Sequence, residues 1–204
     1  METKERIIEA AVEVFADKGR HGARMEAIAS IAEVNKAMVY YYFNSKDNLY
    51  NEVLLTIAKN IYEKVRGDLD QVLSEEDNPR VRLERFIGIH FKAFTNNRHY
   101  TEIIMRALAN EPEETKELLE NFFMNIKGSV QNVSSIYEEG VSQNLLRDID
   151  FPQFMLNIIG MNMIYFMARP IADVLFNMDS SEEKEFLENR SGSIIDLVFH
   201  GILK

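Results

Sequence analysis

Apolar positions recur every three or four residues along nearly the whole chain, the spacing of amphipathic helices, and no stretch alternates with the period of two that marks a strand. The pattern predicts a first helix over residues 4–17, with Ile7, Ile8, Ala11, Val14 and Phe15 on one face and Lys18-Gly19 as a basic last turn and a stop. A short second helix follows over residues 25–32. Asn35 is placed to cap a third helix that ends near Phe43, with Val34 packing on Val39 as a hydrophobic staple. Asn44-Ser45 caps a fourth, long helix. Asp47 sits in its first turn, where a negative charge suits the helix dipole, and Leu49, Val53, Ile57 and Ile61 form its inward stripe.

A polar break over residues 74–79 precedes helical patterns at 80–95, 98–110 and 113–141. Residues 144–150 read as a turn. Asp150 then caps a helix that carries Pro152 in its first turn and reaches residue 176, and a last helix spans 181–203. The most apolar segment, residues 154–168, falls short of the ~20 residues of a membrane span. Asn157, Gly160 and Asn162 interrupt it, so it reads as a buried helix. Pro170, directly after Arg169, predicts a kink. The expected class is all-α.

The chain has no cysteine, which excludes disulfides and thiolate catalysis and fits a reducing compartment. The charged start, Met1-Glu2-Thr3-Lys4-Glu5-Arg6, lacks the apolar run of a secretory signal, and the expectation is a cytoplasmic protein without membrane association. A net charge of -10 argues against indiscriminate nucleic-acid binding. Its distribution softens that argument: residues 1–47 hold seven Lys/Arg against eight Asp/Glu, so nearly all the excess acid lies further on.

Three short helices with a tight turn between the second and third describe a helix-turn-helix, whose third helix enters the DNA major groove. Val39, Tyr42 and Phe43 can anchor that helix, while Lys36, Ala37, Tyr40 and Tyr41 project from its other faces. Three consecutive tyrosines on about two turns of helix need polar partners for their hydroxyls, which phosphate oxygens or water can supply. Lys36 can read guanine O6 and N7, or be a solvated charge at a helix start. Arg20, His21 and Arg24 are candidates for phosphate contacts.

The run Ile28-Ala29-Ser30-Ile31-Ala32-Glu33-Val34-Asn35-Lys36-Ala37-Met38-Val39-Tyr40-Tyr41-Tyr42-Phe43-Asn44-Ser45-Lys46-Asp47-Asn48-Leu49 resembles the signature of the TetR family, I-A-x-x-A-G-V-S-K-G-T-L-Y-x-Y-F-x-S-K-E-x-L, without a gap. The chain departs from it at Glu33 and Ala37, where glycine is usual, at Asn35 for serine and at Met38 for threonine. Asn35 keeps the cap, Glu33 strains the turn, and Met38 exchanges a hydroxyl for a side chain that can touch a thymine methyl. By position, the resemblance implies that Lys36, Ala37, Met38, Tyr40 and Tyr41 face DNA and that Lys46 meets a backbone phosphate, while Arg24, a further DNA-contact candidate, stands where the family often places a hydroxyl residue at the start of the second helix. It also implies a DNA-binding domain at residues 1–47, a larger helical bundle at 48–204 for ligand binding and dimerisation, and a regulator, expected to be a repressor, that grips a pseudo-palindromic operator as a homodimer.

Beyond residue 50 the chain is rich in Phe, Met and Ile, which a plain helical core explains and which would also suit a cavity adapting to a small hydrophobic or amphipathic effector. Candidate lining residues are Phe94, Met105, Phe123 and Met161, with His90, Asn157, Asn162, Tyr165 and Arg169 as polar groups that need partners. The apolar helix at 152–176 and the stripe Ile194, Ile195, Val198, Phe199 and Ile202 also need a covering surface, which in the family is a second subunit. His99 and Glu102 share a helical face without a third ligand, so no metal, cofactor or enzymatic activity is expected. An architectural or partner-binding protein of the same fold, without an inducer, is the alternative.

Overall fold

In a computed structural model that describes residues 2–75, 78–177 and 183–202, every regular element is a helix. The side chains of residues 71–75, 121, 123, 125, 126 and 202 lie outside the description. The helices are α1 (Thr3–Gly22), α2 (Met25–Ile31), α3 (Lys36–Phe43), α4 (Lys46–Glu75), α5 (Pro79–Thr95), α6 (Arg98–Asn110), α7 (Pro112–Ser142), α8 (Phe151–Phe176) and α9 (Glu183–Ile202). The all-α class is as expected.

The local start and stop signals act where the residues place them. Asn35 Oδ1 accepts from the Met38 amide at 2.8 Å, Ser45 Oγ from the Asn48 amide at 3.1 Å, and Asp150 Oδ2 from the Gln153 amide at 3.0 Å. Each satisfies an amide that the first helical turn leaves without a partner. Gly19 breaks α1 with φ 67° and ψ 174°, a conformation essentially confined to glycine, so the stop read at Lys18-Gly19 is a break followed by one further turn. α8 runs on through Pro170, which cannot donate to the Phe166 carbonyl.

The chain forms two compact units, one of residues 1–61 with 97–125, the other of residues 62–96 with 126–204. α4 and α7 each contribute to both. The first unit takes in the head expected at residues 1–47 and adds the first half of α4, α6 and the start of α7. Its core gathers Ile7, Ala11, Phe15, Ile28, Val39, Phe43, Leu49, Val53, Ile57 and Ile103. α6 lies along α1, where Arg106 Nη1 donates to the Ala16 carbonyl at 2.7 Å.

In the second unit α5, α8 and α9 pack together around Leu83, Ile87, Phe91, Ile136, Phe154, Ile158, Ile194 and Phe199. The Tyr137 hydroxyl ties down the turn after α7, accepting from the Ile149 amide at 2.8 Å and lying 2.7 Å from the Arg147 carbonyl. α8 corrects the expectation of a buried helix. Leu156, Ile164, Met167, Ile171, Val174, Leu175 and Phe176 are all exposed on this single chain. Among the described residues α8 is the one helix long and apolar enough to cross a membrane. Its apolar surface is too wide for α5 and α9 alone to cover, in keeping with the further covering surface that the sequence of residues 152–176 calls for.

Candidate functional site

α3 is eight residues long and two-sided. Val39 and Phe43 are buried in the first unit's core, whereas Lys36, Ala37, Tyr40 and Tyr41 are exposed and Met38 is intermediate. Lys36, Ala37, Tyr40 and Tyr41 therefore form one outward face. Tyr42 corrects its expected role as an anchor. It is 38 % exposed and meets Tyr41 edge-on, ring centroids 5.3 Å apart, because Phe43 already fills the inward position at that end of so short a helix.

The turn between α2 and α3 is held from α1. The Arg6 guanidinium donates to the Ala32 carbonyl and, at 3.1 Å, to the Glu33 carbonyl, satisfying acceptors that the end of α2 leaves free. Glu33 sits at φ 53°, the left-handed region that glycine occupies without cost. Glu33→Gly is expected to raise the unit's stability by about 1 kcal/mol. Urea unfolding of the two proteins checks this, and an unchanged midpoint would mean that the turn carries no strain.

Around α3 the cations have definite partners. Lys36 Nζ lies 2.5 Å from Glu26 Oε1 of α2 and 5.5 Å from the Tyr40 ring centre. The hydrogen bond from Lys36 holds the Glu26 carboxyl below its ordinary range, and Glu26 in turn raises the Lys36 ammonium. Lys46, at the first position of α4, donates to the carbonyls of His21 at 3.1 Å and Ala23 at 3.2 Å. An ammonium has three donors, so one remains for an anion outside. Arg24 is exposed at the start of α2 and makes no side-chain cap.

Arg20 corrects the sequence reading, which offered it to phosphate. It bonds Glu111 at 2.5 Å, Glu114 at 3.0 Å and Asp47 at 3.1 Å, and lies over the Tyr50 ring. Burial alone would lower its pKa, yet the three carboxylates outweigh burial and raise it. Two of those partners, Glu111 and Glu114, lie 91 and 94 positions along the chain, beyond the reach of any local pattern.

In the second unit the polar candidates separate. Asn162, fully buried on α8, donates from Nδ2 to His90 Nδ1 of α5 at 2.7 Å, and its Oδ1 is buried without a hydrogen-bond partner among the described residues. The rings of Phe86 and Phe94 flank His90 at 5.9 and 4.9 Å, and burial pushes His90 down to about 4. The ring is therefore neutral at pH 7, and its Nδ1 is the acceptor.

Tyr165 donates to Glu183 at 3.0 Å and stacks on Phe186. Arg169 pairs with the same Glu183 and, at 3.5 Å, with Asp173. These two side chains thus belong to a network joining α8 to α9. Arg190, which the sequence reading missed, donates to the Met161 carbonyl at 2.9 Å. Asn157 corrects its assignment as a buried polar group, since it is exposed on the outer face of α8. Met105 and Phe123 fall in the first unit, and the Phe123 side chain lies outside the described residues. Among the described residues no three His, Asp or Glu side chains gather as a metal site.

Comparison with known proteins agrees with this geometry. The sequence profile of the bacterial regulatory proteins of the tetR family matches residues 7–53, and that of the tetracyclin repressor-like C-terminal domain matches residues 79–198. The "Probable HTH-type transcriptional regulator YttP" of Bacillus subtilis (strain 168) is 28% identical over 178 residues, 85% of this chain and 82% of that protein. The fatty acid metabolism regulator protein of the same organism is 22% identical over 197 residues, 96% of this chain and 93% of that protein. The fold is shared with the solved fatty acid degradation regulator FadR from Bacillus halodurans, with a TM-score of 0.71 at 20% identity over 98% of this chain and 95% of that one. With profiles of both domains matched in order, and an outward-facing third helix on a buried anchor, the chain belongs to the TetR family of DNA-binding transcriptional regulators.

Proposed function

We propose that the protein is a repressor that grips a pseudo-palindromic operator as a dimer and lets it go when a small, largely apolar effector occupies the second unit. The observation that carries the reading is the two-sidedness of α3. Lys36, Ala37, Tyr40 and Tyr41 are exposed together over a buried Val39 and Phe43, the two-sidedness that a helix seated in a major groove needs. Met38 on α3 and the exposed Arg24 at the start of α2 add to that surface, and the third donor of Lys46 supplies a phosphate contact. Residues 1–47 act as the DNA-binding domain and 48–204 as the effector and dimerisation domain.

Dimerisation follows from the uncovered stripe of α8 together with Leu197 of α9, a surface too apolar to remain in water. Two recognition helices about 34–36 Å apart can enter successive major grooves of one operator.

The effector contacts the pair His90 and Asn162. A buried oxygen without a donor costs about 1–3 kcal/mol, which a ligand's hydroxyl or undissociated carboxyl can recover. Phe86, Phe94 and Met161 supply apolar neighbours on the same elements. Relatives that regulate fatty acid metabolism and degradation fit an effector with an apolar chain and one hydrogen-bonding head.

The test is release of operator DNA in the presence of medium- and long-chain alcohols and acids. One class is expected to raise Tm and lower operator affinity, and Asn162→Leu is expected to abolish both responses while leaving affinity without effector unchanged. Undiminished release from the variant would remove Asn162 from the site, and no release by any compound would remove the effector from the proposal.

A further inference from the structure

Glu26 is an exposed acid paired with Lys36 of the outward face of α3. Its place in the first turn of α2 suits the helix dipole, and it neutralises Lys36, whose position at the start of α3 is unfavourable without an anion. Both side chains are nevertheless well exposed, 63 % for Glu26 and 48 % for Lys36. An ion pair so exposed adds little to stability and can open at little cost. Its two charges cancel, so it also adds little to the general attraction of phosphates.

Its polarity does match one base-pair edge. In the major groove a G·C pair presents the acceptors N7 and O6 of guanine beside the amino donor N4 of cytosine. A lysine ammonium suits the first two and a glutamate carboxylate the third. An A·T pair places the thymine O4 acceptor and its methyl group where the carboxylate would look for a donor.

Resting on the reading of α3 as the recognition helix, we propose that Glu26 of α2 and Lys36 of α3 act as one unit that reads a single G·C pair in each half-site, Lys36 on guanine and Glu26 on the cytosine amino group. On the operator the two side chains exchange their mutual 2.5 Å contact for the base edges. Specificity then comes from two helices rather than from α3 alone.

The experiment compares wild type, Glu26→Ala and Lys36→Ala on an operator selected from random DNA and on every single base-pair substitution of it, by fluorescence anisotropy. Alanine is the best helix former, so both variants keep their helices. Wild type is expected to show one G·C pair per half-site whose replacement weakens binding about tenfold or more. Each variant is expected to flatten discrimination at that same pair and to leave the other positions as they were. Glu26→Ala that tightens binding equally on every sequence, with an unchanged profile, would overturn the proposal and leave Glu26 as a neutralising neighbour only. Loss of discrimination at different pairs in the two variants would overturn it as well. A wild type with no sequence preference would instead strike the reading of α3 on which the proposal rests.

Discussion

Between pH 6.5 and about 4 the protein is expected to lose on the order of 3 kcal/mol of stability through His90 alone, and His90→Phe is expected to remove that part of the pH dependence. Burial among Phe86, Phe94 and the α8 side chains disfavours the charged ring and pushes it down to about 4, against about 6.5 in an unfolded chain. The Asn162 amide donating to Nδ1 at 2.7 Å works in the same direction, because a protonated ring would set donor against donor. The sign follows from proton counting. In this window the unfolded chain holds a proton that the folded chain does not, so stability falls as pH falls, and only well above pH 6.5 does this residue add no slope.

The Phe variant leaves Asn162 without its partner. It is therefore expected to be less stable than wild type at pH 7 by about 1–3 kcal/mol, yet flatter with pH. Urea unfolding of both proteins at pH 7, 5.5 and 4.5 measures the difference in slope, to which the shared carboxylates contribute equally. Parallel profiles would show that His90 takes up its proton readily in the folded state.

Phe15→Ala is expected to cost about 3–5 kcal/mol and to abolish operator binding at 37 °C. Phe15 is 1 % exposed, meets the Tyr50 ring edge-on at 5.0 Å, and sits in the core that also holds Ile28, Val39 and Leu49. It joins α1 to α4 behind the platform on which α3 rests. Against the about 5–15 kcal/mol that a whole domain commonly commands, such a loss leaves little to hold α3 in place. Circular dichroism during urea unfolding gives the stability and anisotropy the binding. A cost below about 1 kcal/mol would mean that the neighbouring side chains collapse into the space.

Much of this architecture is written in short stretches of sequence. The caps Asn35, Ser45 and Asp150, and the glycine that breaks α1, each act through residues within four positions, and the structure uses all of them. The outward face of α3 was legible for the same reason, since Val39 and Phe43 lie one helical turn apart. Tyr42 was misjudged because a helix of two turns buries a narrower stripe than its spacing suggests.

Features that depend on distant packing were out of reach. Arg20 finds two of its three carboxylates on α7 and at the residue just before it, and the Glu26–Lys36 pair bridges two helices across the turn. The α8 stripe shows the third limit. Three-to-four periodicity states that a face is apolar, and leaves open whether its cover comes from the same chain.

The central claim, that α3 and the start of α4 dock this protein on a specific operator, is tested most directly by selecting DNA from a random pool and measuring affinity for the winner across a salt series. A palindromic winner is expected, with the logarithm of affinity falling steeply and linearly with that of salt. Lys46→Met is expected to weaken binding on all sequences alike and to lower that slope by about 2, one phosphate from each protomer. No enriched sequence, or a Lys46→Met slope equal to that of wild type, would contradict the account.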